Sequence, residues 1–363
     1  VETGPRLAPD WLAQLPPPEV VRERVFSPVD LEYARGLFPL GDGLSEYDPH
    51  CGYRYLPNLD LPRILEEHPL GRWNLRTNAT GHRRDRDLAK ERPDLRIVVT
   101  GDSHTDGVCN NGESFSGRLE ALLAEADPGR TVEVLNAAKG GYTFFNYLGA
   151  LRRNLRWRPH ALVVTVYGGN DFMEALLLHA WFNGLPGPTG SKPYWPQVKE
   201  AIALRNAAMA QPILSLQYVP HRPEEIQVAL HAAQQMLRYV KQVCEERDVR
   251  LIVAYLPPVN DVDPEFPWLA LDRLREVLEL SDDDLRSSDV LADLLLAWLD
   301  ARGIETVDLR PAFRAADEPL YWARDLHITT TAHRLVARER APIFAPGGRP
   351  AGTGAGGGQG APR

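Results

Sequence analysis

The sequence has few cysteines, no long apolar run and no surplus of basic charge. Its three cysteines, Cys51, Cys109 and Cys244, form neither a Cys-x-x-Cys pair nor a cluster with histidine, so no structural zinc site is expected. Their odd number leaves two alternatives open, one disulfide with a free thiol or three thiols. No run of about 18 apolar residues occurs, so no segment is expected to span a membrane. The formal charge of -8 disfavours nucleic acid as the main partner, because phosphate binding needs a basic face.

The sequence contains instead a repeated alternation of apolar runs and amphipathic segments. Segments such as "SFSGRLEALLAEA" and "FNYLGALRRNLRW" are apolar at helical spacing and lie between the runs. Near-continuous apolar strands alternating with such helices indicate a parallel sheet covered on both faces. We therefore expect a three-layer α/β/α sandwich with a five-stranded, flavodoxin-like parallel sheet. The strand-like runs are "RIVVTG" (96–101), "VEVLNAA" (132–138), "ALVVTVYGG" (161–169), "RLIVAYLPP" (250–258) and "IETVDLR" (304–310).

The segments outside these runs divide the chain further. We expect residues 1–47 to form an extended, Pro-rich arm and residues 342–363, rich in Gly and Pro, to be disordered. The domain between them, 48–341, has a lead-in segment and two helical insertions. Long loops in compact domains are usually lids or binding loops, so the first insertion is interpreted as lid-like and the second as packing outside. The lead-in covers 48–95 and the insertions cover 171–249 and 265–303.

Polar residues follow four of the five predicted strands. Ligands bind outside the carboxyl ends of the strands in open parallel sheets, so these residues are expected at one site. Taken singly, each has an ordinary interpretation: Ser103 as a turn residue, Gly141 as a loop glycine, Asn170 as a helix cap and His327 as a surface histidine. Asp325 stands two residues before His327 in an irregular segment, where both side chains can point the same way.

Together these residues supply what acyl transfer needs. A serine hydroxyl is a poor nucleophile at neutral pH and needs a base, for which histidine has a suitable pKa. A carboxylate two residues away can hold one ring nitrogen protonated and present the other to Ser103. The backbone N–H groups of Ser103 and Gly141, with the side-chain amide of Asn170, are candidate donors to the oxyanion.

Serine in "GDS", glycine in "NAAKGGY", asparagine in "GGND" and the "DLH" pair, in that order, resemble the four blocks of the SGNH (GDSL-type) hydrolase family. The upstream "YDPHCGYRYLPN" and "LRTNATGHRRD" resemble the lead-in of many bacterial members. The resemblance implies an α/β/α fold, an esterase activity through an acyl-enzyme, and no cofactor or metal. It makes Ser103 the nucleophile, His327 the base, Asp325 its orienting partner, and Ser103, Gly141 and Asn170 the oxyanion donors.

Substrate contacts are weaker predictions. His104 beside the nucleophile, Tyr142 and Trp181 are candidates, and Lys139 could attract an anionic group although a surface lysine is the ordinary interpretation. The aromatic residues of 181–195 offer flat surfaces suited to sugar rings, although loop aromatics often anchor a loop to the core. We expect a small-molecule or carbohydrate ester substrate carrying a small acyl group such as acetyl.

Other functions remain open from the sequence. Transfer of the acyl group to a sugar uses the same acyl-enzyme, so an O-acetyltransferase is an alternative. A non-catalytic carbohydrate-binding module on the same fold is another, although both nucleophile and base are retained. A metal-dependent phosphoesterase would need more His and Asp ligands at the strand ends. The lead-in resemblance and the absence of an initiating methionine favour an exported protein, and the sequence does not indicate an oligomeric state.

Overall fold

The computed structural model describes residues 40, 43–182, 211, 216, 223–263, 265–266, 271–282 and 284–345. The predicted arm, up to residue 42 apart from residue 40, and the tail beyond residue 345 lie outside these residues, as does most of 183–222.

Five of the strands form one parallel sheet, in the spatial order β6 (Val132–Asn136), β5 (Leu95–Thr100), β7 (Ala161–Tyr167), β8 (Arg250–Leu256) and β9 (Glu305–Asp308). Each neighbouring pair in this sheet is parallel. The five predicted runs are therefore strands, and the predicted fold class is confirmed. The strands in chain order are β1 Ser45–Asp48, β2 Gly52–Tyr55, β3 Asp60–Ile64, β4 Arg72–Arg76, β5 Leu95–Thr100, β6 Val132–Asn136, β7 Ala161–Tyr167, β8 Arg250–Leu256 and β9 Glu305–Asp308.

The central strands are buried on both faces, which explains their continuous apolar character. In β5, Val98 belongs to one hydrophobic cluster while Ile97 and Val99 belong to the other, because successive side chains point to opposite faces. The same alternation separates Val164 from Val163 in β7. The sheet is thus the middle layer between two apolar cores.

Helices cover both faces of the sheet. Apolar residues of α3, α4, α5 and α8 join the first cluster, and those of α2, α7 and α10 join the second. Within the described residues the helices are α1 Ser103–Asp106, α2 Phe115–Ala126, α3 Phe144–Asn154, α4 Asp171–Phe182, α5 Pro223–Glu246, α6 Val259–Val262, α7 Leu271–Leu278, α8 Ser287–Asp300, α9 Arg310–Arg314 and α10 Thr330–Phe344, with 3₁₀ turns at Asn111–Glu113, Leu155–Trp157 and Asp284–Arg286.

The predicted insertions need correction, because their helices are part of the sandwich. Helix α4 starts at Asp171, directly after β7, and α5 leads back into β8, so both belong to the crossover between these strands. Leu291, Leu295 and Leu299 of α8 are buried in the first core cluster, so this helix lies on the sheet and not outside it. Most of residues 183–222, which the predicted lid-like insertion includes, lie outside the described residues.

The lead-in segment forms two antiparallel hairpins, β1–β2 and β3–β4. Strand β1 starts at residue 45, so the boundary predicted for the arm is three residues too late. Helix α10 ends at Phe344, so the boundary predicted for the disordered tail is too early.

The remaining sequence expectations concern cysteines, metals and membranes. All three cysteines are buried free thiols, which removes the disulfide alternative. No three His, Cys, Asp or Glu side chains in the described part of the chain are grouped to hold a metal ion. None of the helices in that part is long and apolar enough to cross a membrane.

Candidate active site

Ser103 lies at the carboxyl end of the central strand β5. The strand ends at Thr100, and Ser103 is the first residue of the short helix α1. Asp102 caps this helix by accepting a hydrogen bond from the His104 backbone N–H at 3.0 Å. The serine side chain is half-buried while its neighbours on both sides are buried. The turn chemistry of the "GDS" stretch therefore places one hydroxyl at the sheet edge.

The loop between α9 and α10 brings a histidine and a carboxylate to this hydroxyl. His327 Nε2 lies 2.8 Å from Ser103 Oγ. His327 Nδ1 lies 2.5 Å from Asp325 Oδ1. Ser103 and His327 are 224 positions apart in sequence, and the fold brings them together. The three side chains form one hydrogen-bonded chain with the order of a serine hydrolase triad.

The backbone between Asp325 and His327 adopts an unusual conformation. Leu326, a buried residue, has φ 65°, in the left-handed region that favours glycine. Such residues persist where the surrounding structure holds them, and they concentrate at functional sites. Here the left-handed residue lets the Asp325 and His327 side chains, two positions apart, contact each other while His327 contacts Ser103.

Charge and burial have opposite effects on the pKa values of His327 and Asp325. Burial alone would lower the pKa of His327, but the hydrogen bond and charge of Asp325, with the charges of Asp102 and Asp106, raise it above its ordinary value of 6.5. Burial alone would raise the pKa of Asp325, but the hydrogen bonds and charge of His327 hold it below its ordinary value of 3.8. The carboxylate thus stabilises the imidazolium form of the histidine.

A glycine loop after β6 lies beside the serine. A Cβ built on Gly140 would lie 3.5 Å from Ser103 Cβ. Gly141 has φ 80° and is exposed. Among the described residues, neither the Ser103 N–H nor the Gly141 N–H has an acceptor. Two backbone donors are therefore available at this edge of the sheet.

Asn170 precedes α4, at the carboxyl end of the neighbouring strand β7. It is 2% exposed, and its Nδ2 donates a hydrogen bond of 2.6 Å to Glu174 Oε1, one turn further along α4. An amide nitrogen carries two hydrogens, so this bond leaves one for another acceptor. The Thr143 hydroxyl donates to the Asp171 carbonyl at 2.7 Å and joins the glycine loop to this segment.

Three buried carboxyl groups lie behind the site. Burial raises the pKa of Asp102 to about 7 and that of Glu174 to about 7. Burial and the charge of Asp102 raise the pKa of Asp171 well above its ordinary value. Asp171 Oδ2 accepts hydrogen bonds from the Tyr147 hydroxyl and the Tyr167 N–H. The negative charge of these carboxyl groups favours the protonated forms of titratable groups near Ser103 and His327.

A family model for the GDSL-like lipase/acylhydrolase family matches residues 99–289, which is more than half of the chain. The chain belongs to the GDSL-like lipase/acylhydrolase family. Its membership makes it a hydrolase of ester bonds and confirms the resemblance that the four sequence blocks indicate. None of the curated proteins compared with it matches.

The solved structures that match this chain are similar to it only at low identity. A catalytic mutant of Axe2, an acetylxylan esterase from Geobacillus stearothermophilus, is 14% identical with a TM-score of 0.41 and covers 69% of this chain and 94% of its own. LAE5, an alpha/beta hydrolase enzyme from the metagenome of Lake Arreo, Spain, is 20% identical with a TM-score of 0.39 over 69% and 94%. TesA is 15% identical with a TM-score of 0.37 over 69% and 98%.

The residues predicted to contact substrate are placed differently from the triad. His104 is 1% exposed and stacks on the Tyr167 ring at 3.7 Å, while its ring centroid lies 4.7 Å from that of His327. Tyr142 is also buried, and its hydroxyl contacts Cys51 Sγ and the backbone of the lead-in segment. Both side chains pack inside the protein, so the structure gives them no substrate-facing surface.

The other two candidates differ in exposure. Trp181 is 40% exposed on the last turn of α4, beside the Phe182 ring. Lys139 is not the surface lysine that the sequence suggested, because it is 8% exposed. Its ammonium lies 4.1 Å from the Tyr55 ring centroid and 5.7 Å from that of Tyr53.

Sequence reasoning missed the residues that hold these groups from behind. Tyr53 and Tyr55 lie in the lead-in stretch "YDPHCGYRYLPN" and alternate in a short strand, and this spacing places both side chains on one face. Glu174 follows Asn170 by four residues, the spacing of neighbours on a helix surface. These two spacings are the signals from which part of the support could have been inferred. The residues concerned are Tyr53, Tyr55, Glu67, Asp106 and Glu174.

Proposed function

We propose that the protein hydrolyses acyl esters through a covalent intermediate on Ser103. The observation that carries the proposal is the continuous chain of hydrogen bonds from Ser103 through His327 to Asp325. A side chain that merely caps a turn needs no imidazole on its hydroxyl and no carboxylate behind that imidazole. Nucleophilic catalysis needs both.

The proposed reaction has two halves. His327 Nε2 accepts the Ser103 proton as Oγ attacks the ester carbonyl, and the imidazolium then protonates the leaving alcohol. Water next attacks the acyl-enzyme with His327 again as base, which releases the acid and restores the serine. Asp325 accepts the Nδ1–H throughout, keeps Nε2 directed at the serine and stabilises the imidazolium.

The tetrahedral intermediate in each half carries a negative oxygen. We assign the oxyanion donors to the Ser103 N–H, the Gly141 N–H and the free hydrogen of Asn170 Nδ2. Donors of this kind are each worth about 3 kcal/mol of transition-state stabilisation. The support is that both backbone N–H groups lack acceptors among the described residues and that Glu174 anchors the Asn170 amide.

The proposed substrate is an ester of a small acyl group, such as acetyl, on a small alcohol or a carbohydrate. Trp181 is 40% exposed, and an indole of this exposure suits contact with a sugar ring. It lies ten residues after the start of α4, and a rise of about 1.5 Å per residue puts it about 15 Å along the helix. Trp181 therefore suits a distant part of an extended alcohol and not the acyl group itself.

The test is hydrolysis of p-nitrophenyl esters of increasing acyl length by the wild type and by Ser103→Ala. We expect the wild type to favour acetate and the variant to lose activity at least a thousandfold. Ser116→Ala is the matched control, because Ser116 is a buried serine of α2 whose hydroxyl has no hydrogen-bond partner among the described residues. Equal rates for wild type and Ser103→Ala would refute the proposal, and so would a loss of activity in EDTA that added metal restores.

A second assay distinguishes hydrolysis of the acyl-enzyme from transfer of its acyl group to a sugar. Sugar alcohols added as acceptors compete with water for the same acyl-enzyme. We expect free acid to remain the main product, and predominant acylated sugar would instead make the protein an O-acetyltransferase.

A further inference from the structure

The hairpin β1–β2 contacts the glycine loop beside Ser103. The Tyr53 hydroxyl donates a hydrogen bond of 2.7 Å to the carbonyl oxygen of Gly140. A Cβ on Gly141 would approach the same hydroxyl to 2.8 Å, so the tyrosine lies directly against the loop. This contact spans 87 residues of sequence, and Tyr53 belongs to none of the four family blocks.

The hydrogen-bonded carbonyl belongs to the same peptide unit as the Gly141 N–H. A trans peptide is planar, and its C=O and N–H point in opposite directions. Holding the Gly140 oxygen against Tyr53 therefore directs the Gly141 N–H away from the hairpin. Two successive glycines lack the Cβ atoms that would otherwise restrict rotation of this unit, so its orientation depends on such an external contact.

On its other side, Gly140 is held by Asp106, which Tyr55 of the same strand also contacts. The Gly140 N–H donates to Asp106 Oδ2 at 3.3 Å, and the Tyr55 hydroxyl donates to that oxygen at 2.5 Å. Asp106 also pairs with the buried Arg83 at 2.8 Å. Because Asp106 ends the helix that Ser103 begins, these bonds fix the loop relative to the nucleophile.

Tyr53 is itself held in place. It is 8% exposed, and its ring meets the Tyr142 ring edge-on with centroids 5.2 Å apart. The Tyr142 hydroxyl donates to the Tyr53 carbonyl. The hydroxyl of Tyr53 thus reaches Gly140 from a packed ring, and its removal leaves that packing in place.

We propose that Tyr53 is a positioning residue of the oxyanion hole, which it completes by fixing the direction of the Gly141 N–H through the Gly140 carbonyl. The proposal rests on the function proposed above. It assigns to the lead-in hairpin a part in catalysis, in addition to its part in folding.

The test is the Tyr53→Phe variant, assayed for kcat and KM with p-nitrophenyl acetate. Loss of a whole oxyanion donor costs about 100-fold to 1000-fold in kcat, so a donor that is only loosened should cost about tenfold with little change in KM. Inactivation by a p-nitrophenyl phosphonate, whose phosphoryl oxygen needs the same donors, should slow by a similar factor.

Tyr255→Phe is the matched control. It removes another buried tyrosine hydroxyl that donates to a backbone carbonyl, that of Ser288 at 3.0 Å in α8. We expect it to lose stability without the selective loss of kcat. A loss of the same size in both variants would show that the effect of Tyr53→Phe is structural and would overturn the proposal.

The outcome for the wild type separates this proposal from the function on which it rests. No hydrolysis and no phosphonate adduct in the wild type would refute the acyl-enzyme itself. An active wild type with unchanged kcat and phosphonate reactivity in Tyr53→Phe would refute only the role of Tyr53.

Discussion

At the scale of single residues, the proposed mechanism requires Asp325 to set the pH at which His327 can act as a base. The histidine must be neutral to accept the Ser103 proton, so kcat/KM should rise with pH as the histidine loses its proton. The hydrogen bond and charge of Asp325 raise the pKa of His327 in spite of the burial that lowers it. The acid limb of the wild-type profile is therefore expected above pH 6.5.

Asp325→Asn removes the charge that stabilises the imidazolium. The pKa of His327 then falls, so the acid limb should move to lower pH while the maximal rate drops by about a thousandfold or more. The measurement is kcat/KM between pH 5 and 9 for both proteins. An acid limb that stays in place, or moves to higher pH, would contradict the assignment of Asp325.

The buried Glu174 should make the stability of the folded protein depend on pH. Burial raises its pKa to about 7 from an ordinary value of 4.5, so the folded protein keeps a proton that the unfolded chain releases. The resulting stability is fully present below pH 4.5 and is lost as pH rises through about 7. Glu174→Gln keeps an acceptor for Asn170 but does not titrate.

The melting temperature of Glu174→Gln relative to the wild type should therefore increase from pH 5 to pH 8, by about 2 °C or more. Its kcat should stay close to that of the wild type, whereas Glu174→Leu, which leaves the Asn170 amide without its acceptor, should lower kcat. A difference in melting temperature that is the same at both pH values would show that Glu174 is not protonated in the folded protein.

The sequence predicts the residues of the proposed site better than the residues that hold them. Ser103, Gly141 and Asn170 each follow an apolar run, and the sheet brings the ends of such runs together. Tyr53 and Glu67 lie in short hairpins whose docking on the sheet has no periodic pattern. His104 shows that position in the sequence can also mislead. Its place beside Ser103 suggests a substrate contact, but its ring packs on Tyr167.

At the scale of elements, the turn between β3 and β4 supports the loop that carries Asp325. The Glu67 carboxylate accepts the backbone N–H of Arg324 at 3.0 and 3.1 Å and that of Asp325 at 3.2 Å. The next residue, Leu326, is the one in the left-handed region. The carboxylate thus fixes the start of the segment whose strained backbone joins Asp325 to His327.

Glu67→Ala should lower kcat by about fivefold or more, because two backbone donors lose a charged acceptor beside the triad. Glu66→Ala is the matched control, since Glu66 is exposed and only pairs with the Arg324 side chain at 3.3 Å. Exposed pairs of this kind contribute little. Equal kcat values for the two variants would rule out a positioning role for Glu67.

The position of the helices between β7 and β8 is a feature of the fold that the sequence does not reveal. The chain between β7 and β8 is much longer than a usual crossover, so an insertion is the natural interpretation. Helices α4 and α5 nevertheless pack against each other and on the sheet. An apolar helix face indicates that the helix is buried but not which element it packs against. The position of these helices therefore could not be predicted from the sequence.

At the scale of the whole molecule, one N-terminal segment supports both halves of the site. Strand β2 holds the glycine loop through Tyr53, and the turn after β3 holds the Asp325 loop through Glu67. The parallel sheet supplies Ser103 between them. The site is thus assembled from segments along most of the described chain, although the groups proposed to react with substrate come from the four family blocks.

We propose that the fold activates Ser103 as a nucleophile. The most direct measurement is mass spectrometry of the wild type after reaction with a p-nitrophenyl phosphonate, followed by peptide mapping. We predict a single adduct on Ser103 that forms slowly or not at all in His327→Ala, which lacks the base. No adduct on Ser103, or one that forms equally fast without His327, would contradict the account.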